Sequence, residues 1–294
     1  MSIGSSLRIF GIRFSTIPFF LFPLAPPPEA AEIYETSLCM VFQLKGETAC
    51  DRKIQWEGSV VIRGKIEKGD DIKFREVIRK MQVPLERVFL RSEGGDVNTA
   101  MEIGYLIRKL KASTVGPFLN EKNVSSCEEV TETKLFRTAK SANCVCASAC
   151  FLIYAAGYKR QMSAVEIHRP YIDRGANAQL TEAETLTINR QIEEKVTRYL
   201  EEMSIPKPYI SLMLNSPSST SRRISFSEML QDIVGYPRPI EEWLYSKCKI
   251  PPYSQTYRDM QKDVNSWNQR YSKASWCEFQ EIRKLQAEAF SQLQ

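Results

Sequence analysis

The chain is poor in the residues that build metal centres and membrane spans. Its 294 residues include one histidine, His168, so a His-clustered metal site is excluded and an imidazole base has a single candidate. No two cysteines stand at the C-x-x-C spacing of a zinc site,, and no apolar run reaches the roughly 20 residues that a spanning helix needs. There is neither an internal repeat nor a low-complexity tract. Charge of one sign is also scarce: 40 Lys and Arg against 35 Asp and Glu leave +5, with the basic residues scattered among acidic ones. Nucleic acid is therefore not an implied partner. A composition of 43% hydrophobic and 26% charged residues is that of an ordinary folded chain, and excludes a disordered tail, a collagen-like fibre and a multi-span membrane protein.

What is present begins at the N-terminus. Arg8 and Arg13 precede an apolar run over residues 17–24, and then come Pro26, Pro27, Pro28, Glu29, Ala30 and Ala31. Basic, apolar, breaker, small residue is the order of a secretory signal peptide. Residues 1–31 are read as that signal, cleaved near Ala30 or Ala31, and the protein as periplasmic or secreted, with membrane contact only where the segment stays uncleaved. All eight cysteines, Cys39, Cys50, Cys127, Cys144, Cys146, Cys150, Cys248 and Cys277, lie beyond it. An even number in an exported chain reads as disulfides. Sequence neighbours suggest Cys39 with Cys50, Cys127 with Cys144, Cys146 with Cys150 and Cys248 with Cys277, among the many pairings that eight cysteines permit. Oxidised pairs leave no thiol nucleophile.

Residues 58–66 (GSVVIRGKI) are rich in β-branched side chains and end at a glycine-flanked turn, and residues 70–81 place Ile72, Phe74, Val77, Ile78 and Met81 at helical spacing,. A short buried strand over 87–90, a glycine turn at Glu93-Gly94-Gly95-Asp96, a helix over 97–110 and a strand over 112–115 follow. Strand and helix in alternation predict an α/β fold with a mostly parallel sheet. The pattern breaks at 118–143, a polar lid-like insertion read as a loop. It resumes with a buried small-residue helix over 146–157, a strand over 165–168, a charged helix over 181–203 and shorter helices over 209–214 and 225–234. Past Pro237 and Pro239 the composition shifts to Tyr, Trp, Gln and Lys. Three units are expected: the signal (1–31), an α/β domain (32–236) and a helical C-terminal extension (237–294).

Three pieces carry chemistry in that order: a strand running into Gly94-Gly95, a helix start containing Ser148, and a strand ending in His168-Arg169-Pro170. Acyl transfer needs a hydroxyl, a base to take its proton and two backbone N–H groups aimed at the developing oxyanion. Two glycines expose backbone N–H groups without side-chain obstruction. A serine at a helix start meets unsatisfied N–H groups and the positive end of the macrodipole, and the alanines at 147 and 149 leave its approach open.

The segments GSVVIRGKI (58–66), RVFLRSEGGDVNTAMEIGYLI (87–107), CASACFLIYAAG (146–157) and EIHRP (166–170) resemble the ClpP and crotonase superfamily, particularly the exported ClpP-like proteins of bacteria. The resemblance spans roughly residues 58–235. It implies a core of repeated β-β-α units in a spiral, with the C-terminal helices left over as an appendage. It also implies a serine peptidase in which Ser148 is the nucleophile, His168 the base, and Gly94, Gly95 and the N–H of Ala149 form the oxyanion hole. A peptide or protein substrate, no cofactor, no metal and assembly into homo-oligomers are implied with it.

One departure stands out. The family's catalytic aspartate falls shortly before an apolar-Ser pair, here Ile224-Ser225, and Ser221 occupies that place, with no carboxylate between Pro217 and Ser227. Glu166, Asp173 and Glu228 are the candidate third members. The alternatives are a catalytically silent ClpP-like scaffold that binds a protein or peptide, a Ser-Lys peptidase using a lysine such as Lys159, and a crotonase-like acyl-CoA enzyme, which the signal peptide argues against.

Overall fold

A computed structural model describes residues 31–44, 47–119, 125–131, 134–139, 144–162, 164–171 and 180–293, with the backbone alone at 36–57 and within 118–139. The first half runs β1 (Glu32–Leu44), β2 (Glu47–Arg63), α1 (Asp70–Lys80), β3 (Arg87–Arg91), α2 (Val97–Lys109) and β4 (Ser113–Val115). Then come β5 (Phe118–Leu119), β6 (Ser125–Thr131), β7 (Lys134–Ala139), α3 (Ala149–Ala155), β8 (Arg160–Gln161) and β9 (Ala164–Ile167). The chain finishes with α4 (Glu182–Glu202), α5 (Lys207–Asn215), β10 (Arg222–Ser225), α6 (Phe226–Met229), α7 (Arg238–Cys248), α8 (Tyr253–Lys262) and α9 (Val264–Ser291).

The protein is mixed α/β around a five-stranded sheet of order β1-β2-β3-β4-β8, in which β2, β3, β4 and β8 are parallel and β1 is the antiparallel edge. Val60, Val61 and Ile62 of β2 and Val88, Phe89 and Leu90 of β3 are all buried. Continuous apolar runs of this kind suit strands covered on both faces. Helices α1 and α2 make the crossovers from β2 to β3 and from β3 to β4. Helix α3 is buried along its whole length, and Tyr199 of α4 reaches it, donating to the Leu152 carbonyl at 2.8 Å.

Helix ends inside a core leave carbonyls that need donors. Two guanidinium groups supply them here. Arg108 donates to the carbonyls of Ala155, Ala156 and Met203, and the fully buried Arg160 to those of Ala155, Ile233 and Met203. Burial first, and Arg108 beside it, push the Arg160 guanidinium down to about 9; the carbonyl dipoles are what hold a cation there.

Helices α7, α8 and α9 lie at the ends of β3 and β4 where those strands begin. Gln286 donates to the Lys111 carbonyl at 3.0 Å, Arg283 pairs with Glu86 at 2.8 Å, and Phe290 joins the main core. Glu278 accepts from Lys159 Nζ and from the Tyr236 hydroxyl, each at 2.7 Å. Both members of this ion pair are largely buried, so Glu278→Ala strands two donors. Urea unfolding is expected to show a loss of about 2 kcal/mol, and an unchanged midpoint would mean that the Glu278 contacts contribute nothing to holding the helices.

Of the places where sequence periodicity and structure differ, two concern short polar strands. The insertion, expected as a loop, holds the antiparallel strands β5, β6 and β7, and residues 222–225 form β10 against β9 where only a helix from 225 is expected. Both are short polar strands. They gain from backbone pairing and carry little hydrophobic alternation for a sequence reading to find.

Candidate active site

The site is built where three short stretches of backbone meet. Ser92, just past β3, forms a parallel bridge with Cys146, through Ser92 N–H to the Val145 carbonyl at 2.9 Å and Ala147 N–H to the Ser92 carbonyl at 3.0 Å. On the other side Ala147 bridges Glu166 of β9, with Ser148 N–H donating to the Glu166 carbonyl at 2.9 Å. Residues 145–148 are thus a strand-like segment that turns abruptly into α3.

Ser148 is the turning point, and it is strained. It caps α3 at φ 55° and ψ −123°, while Cys150 N–H closes the turn onto the Ala147 carbonyl at 3.0 Å. These dihedrals are those of the first central residue of a type II′ turn, a position that favours glycine. A non-glycine residue held there costs about 1–3 kcal/mol and persists only where its surroundings over-determine it. The disulfide Cys146–Cys150, Cα atoms 5.2 Å apart, brackets the turn.

Gly94 lies directly against it, and Gly95 follows, packed on Ile66. A Cβ on Gly94 would stand 2.6 Å from Ser148 Cβ and 3.0 Å from the Ala149 nitrogen, and one on Gly95 would stand 2.0 Å from the Ile66 carbonyl oxygen. Their φ values, 105° and 138°, are in the range that glycine alone adopts freely,. The N–H groups divide clearly. Gly94 donates to Ser92 Oγ at 3.1 Å, whereas Gly95 and Ala149 have no protein acceptor for theirs among the described residues. Of the expected oxyanion residues, Gly95 and Ala149 carry available donors, and Gly94 supplies the close approach.

His168 follows β9 immediately and is half buried. Its Nδ1 stands 2.9 Å from the Arg169 carbonyl oxygen and its ring lies 5.9 Å from that of Tyr171. Ser148 and His168 thus sit on neighbouring stretches joined by the Ala147–Glu166 bridge, without a hydrogen bond between their side chains.

The candidate third members have other partners or lie elsewhere. Glu166 turns its carboxylate to β10, accepting from Ser221 Oγ at 3.0 Å and from Arg223 at 2.7 Å. Glu228 closes the capping box of α6 with Ser225, and the Ser225 backbone and hydroxyl donors hold its carboxyl below the usual range. Asp173 lies outside the described residues. No carboxylate among the described residues touches His168. The carbonyl that meets it is not legible in the sequence, because a main-chain acceptor has no residue signature.

The pairings Cys146–Cys150 and Cys248–Cys277 are formed, and Cys144 is also disulfide-bonded. The other two expected pairings rest on side chains of Cys39, Cys50 and Cys127, outside those described. Replacing Cys146 and Cys150 together with alanine is expected to cost about 2 kcal/mol by denaturant unfolding. Equal stability would show that the turn is held without the bridge.

A cavity of about 320 Å³ lies elsewhere, among Tyr236, Tyr253, Trp267, Glu278 and Lys159 on the face that α9 covers. No residue of the Ser148 turn lines it. The ammonium of Lys159 is spent on Glu278 there, which removes it as a base for Ser148 in this arrangement. Among the described residues, no helix is long and apolar enough to cross a membrane.

Neither a protein-family model nor a curated protein matches the chain. Among solved structures the chain is similar to a mutant of ClpP1 from Listeria monocytogenes, at 17% sequence identity and a TM-score of 0.37, over 58% of this chain and 85% of that one.

Proposed function

We propose that this chain is an exported ClpP-like serine hydrolase that cleaves peptide bonds. The observation that carries the reading is the strained turn at Ser148 (φ 55°, ψ −123°), set against Gly94, with the N–H groups of Ala149, next in the chain, and of Gly95, next to Gly94, lacking a protein acceptor among the described residues. Backbone strain at a non-glycine residue clusters at functional sites, and acyl transfer needs a hydroxyl with backbone donors for the oxyanion.

In the reaction, Ser148 Oγ attacks the carbonyl carbon of the scissile bond as His168 Nε2 takes its proton. The carbonyl oxygen becomes an oxyanion between the N–H groups of Gly95 and Ala149. His168 then gives the proton to the leaving amine. A water, deprotonated by the same imidazole, hydrolyses the acyl-enzyme and returns Ser148. No cofactor is needed. Residues 1–31 act as a cleaved export signal, 32–236 as the spiral catalytic domain and 237–294 as a helical extension, with assembly into homo-oligomers. Export is supported by the bonded state of Cys144, Cys146, Cys150, Cys248 and Cys277, which suits an oxidising compartment.

A second reading, a catalytically silent scaffold that binds a peptide or protein, is favoured by the absence, among the described residues, of a carboxylate at His168 and of a Ser148–His168 hydrogen bond. Digestion of a synthetic peptide library by the mature oxidised protein, read by mass spectrometry, separates the two. Cleavage products that vanish in Ser148→Ala support the hydrolase. Retention of intact peptides by both proteins alike supports the scaffold.

A further inference from the structure

We propose that the main-chain carbonyl of Arg169 serves in place of the carboxylate partner of His168, with Arg169 as a positioning residue. The inference rests on the reading of Ser148 and His168 as a catalytic pair, and it answers the question that Ser221 raises at the matching place of the family's acid.

A carbonyl oxygen has no proton to give. At 2.9 Å from Nδ1, it therefore makes Nδ1 the donor and fixes the neutral ring with its proton on Nδ1. Nε2 is left with its lone pair. That is the tautomer a base acting through Nε2 needs, and selecting it is part of what a carboxylate does in a Ser-His-Asp triad.

The carbonyl is itself held in place. Arg169 N–H donates to the Ser216 carbonyl at 3.0 Å, and its Nε to the Leu214 carbonyl at 2.6 Å. Both acceptors belong to the C-terminal end of α5, and Ser216 is tied back to Leu212 through its N–H and its hydroxyl. Glu193 of α4 stands 3.7 Å from the same Nε. Pro170, buried, follows directly, and its ring limits the freedom of the peptide that bears the carbonyl. The side chain of Arg169 thus makes no hydrogen bond to His168 and positions it through the backbone.

Among the described residues, the candidate carboxylates have other partners. Glu166, two residues before His168, is held by Ser221 and Arg223, and Glu228 by Ser225. A neutral acceptor gives a weaker bond to the imidazolium than a charged one, so the expected catalyst is functional but slow.

Because His168 is the only histidine, every imidazole signal of uniformly ¹⁵N-labelled protein in a long-range ¹H–¹⁵N spectrum belongs to it. The expected spectrum of the neutral ring has a protonated Nδ1 and a bare Nε2. A protonated Nε2 overturns the proposal. In Arg169→Ala, which removes the Nε bond to Leu214, the two nitrogen signals are expected to move toward each other as the tautomers mix, and fluorophosphonate labelling of Ser148 to slow by about 10- to 100-fold. A folded Arg169→Ala protein with wild-type nitrogen signals and wild-type labelling overturns the positioning role. If that variant does not fold, the wild-type spectrum still decides. Wild-type protein with the expected tautomer but no labelling at all defeats the hydrolase reading instead, and with it the catalytic meaning of the bond.

Discussion

Replacing Gly95 with alanine is expected to cost more than about 4 kcal/mol, at the extreme of single-residue effects, and to leave little folded protein. Two penalties fall on one atom. The new Cβ would stand 2.0 Å from the Ile66 carbonyl oxygen, 2.8 Å from its carbon and 2.9 Å from the Ile66 nitrogen, all of them backbone, at a φ of 138°. Neither neighbour can swing away, because Ile66 N–H is bonded to the Gly94 carbonyl and the Ile66 carbonyl to Asp96 N–H, each at 2.8 Å. Gly69 is the control. It has a comparable φ of 97°, and a Cβ added there would meet nothing within 4 Å, so Gly69→Ala carries the backbone penalty alone, about 1–2 kcal/mol. Urea midpoints measured side by side test the pair. Equal losses at the two glycines would show that the packing of Ile66 into the turn is not what demands Gly95.

Ser148→Gly is expected to raise stability by about 1–2 kcal/mol while abolishing every activity of the site. Glycine adopts φ 55° and ψ −123° freely, so the variant releases the strain that serine holds,. Ser148→Ala keeps a Cβ and hence the strain, loses the hydroxyl, and should unfold close to wild type. The two variants therefore share one functional phenotype and differ in stability. A glycine variant no more stable than the alanine variant, by thermal or urea unfolding, would mean that the turn relaxes in solution and stores nothing for catalysis.

Much of this architecture is legible in the sequence, and the reasons are physical. Residues 70–80, 97–109 and 182–202 form the helices that their apolar spacing predicts, and β3 falls where RVFL stands, because an amphipathic stripe or a buried run has few other ways to satisfy itself. The candidate site is legible as a set of pieces: Gly94 lies against Ser148, whose turn the Cys146–Cys150 disulfide brackets. Three features are not legible. The positive φ of Ser148 arises from the bridges of residues 145–148 to Ser92 and Glu166 on either side, which are long-range contacts. The turning of Glu166 toward Arg223 depends on β10, a strand with little hydrophobic pattern. The Arg169 carbonyl is backbone, and every residue has one.

The central claim is that Ser148 is an activated nucleophile. Its most direct test is intact mass after the oxidised mature protein is incubated with a fluorophosphonate probe, beside Ser148→Ala and His168→Ala. The account predicts a single adduct on wild type, mapped to Ser148 by peptide digestion, and none on either variant. Folded wild-type protein that takes up no probe, or an adduct that survives in Ser148→Ala, would contradict it.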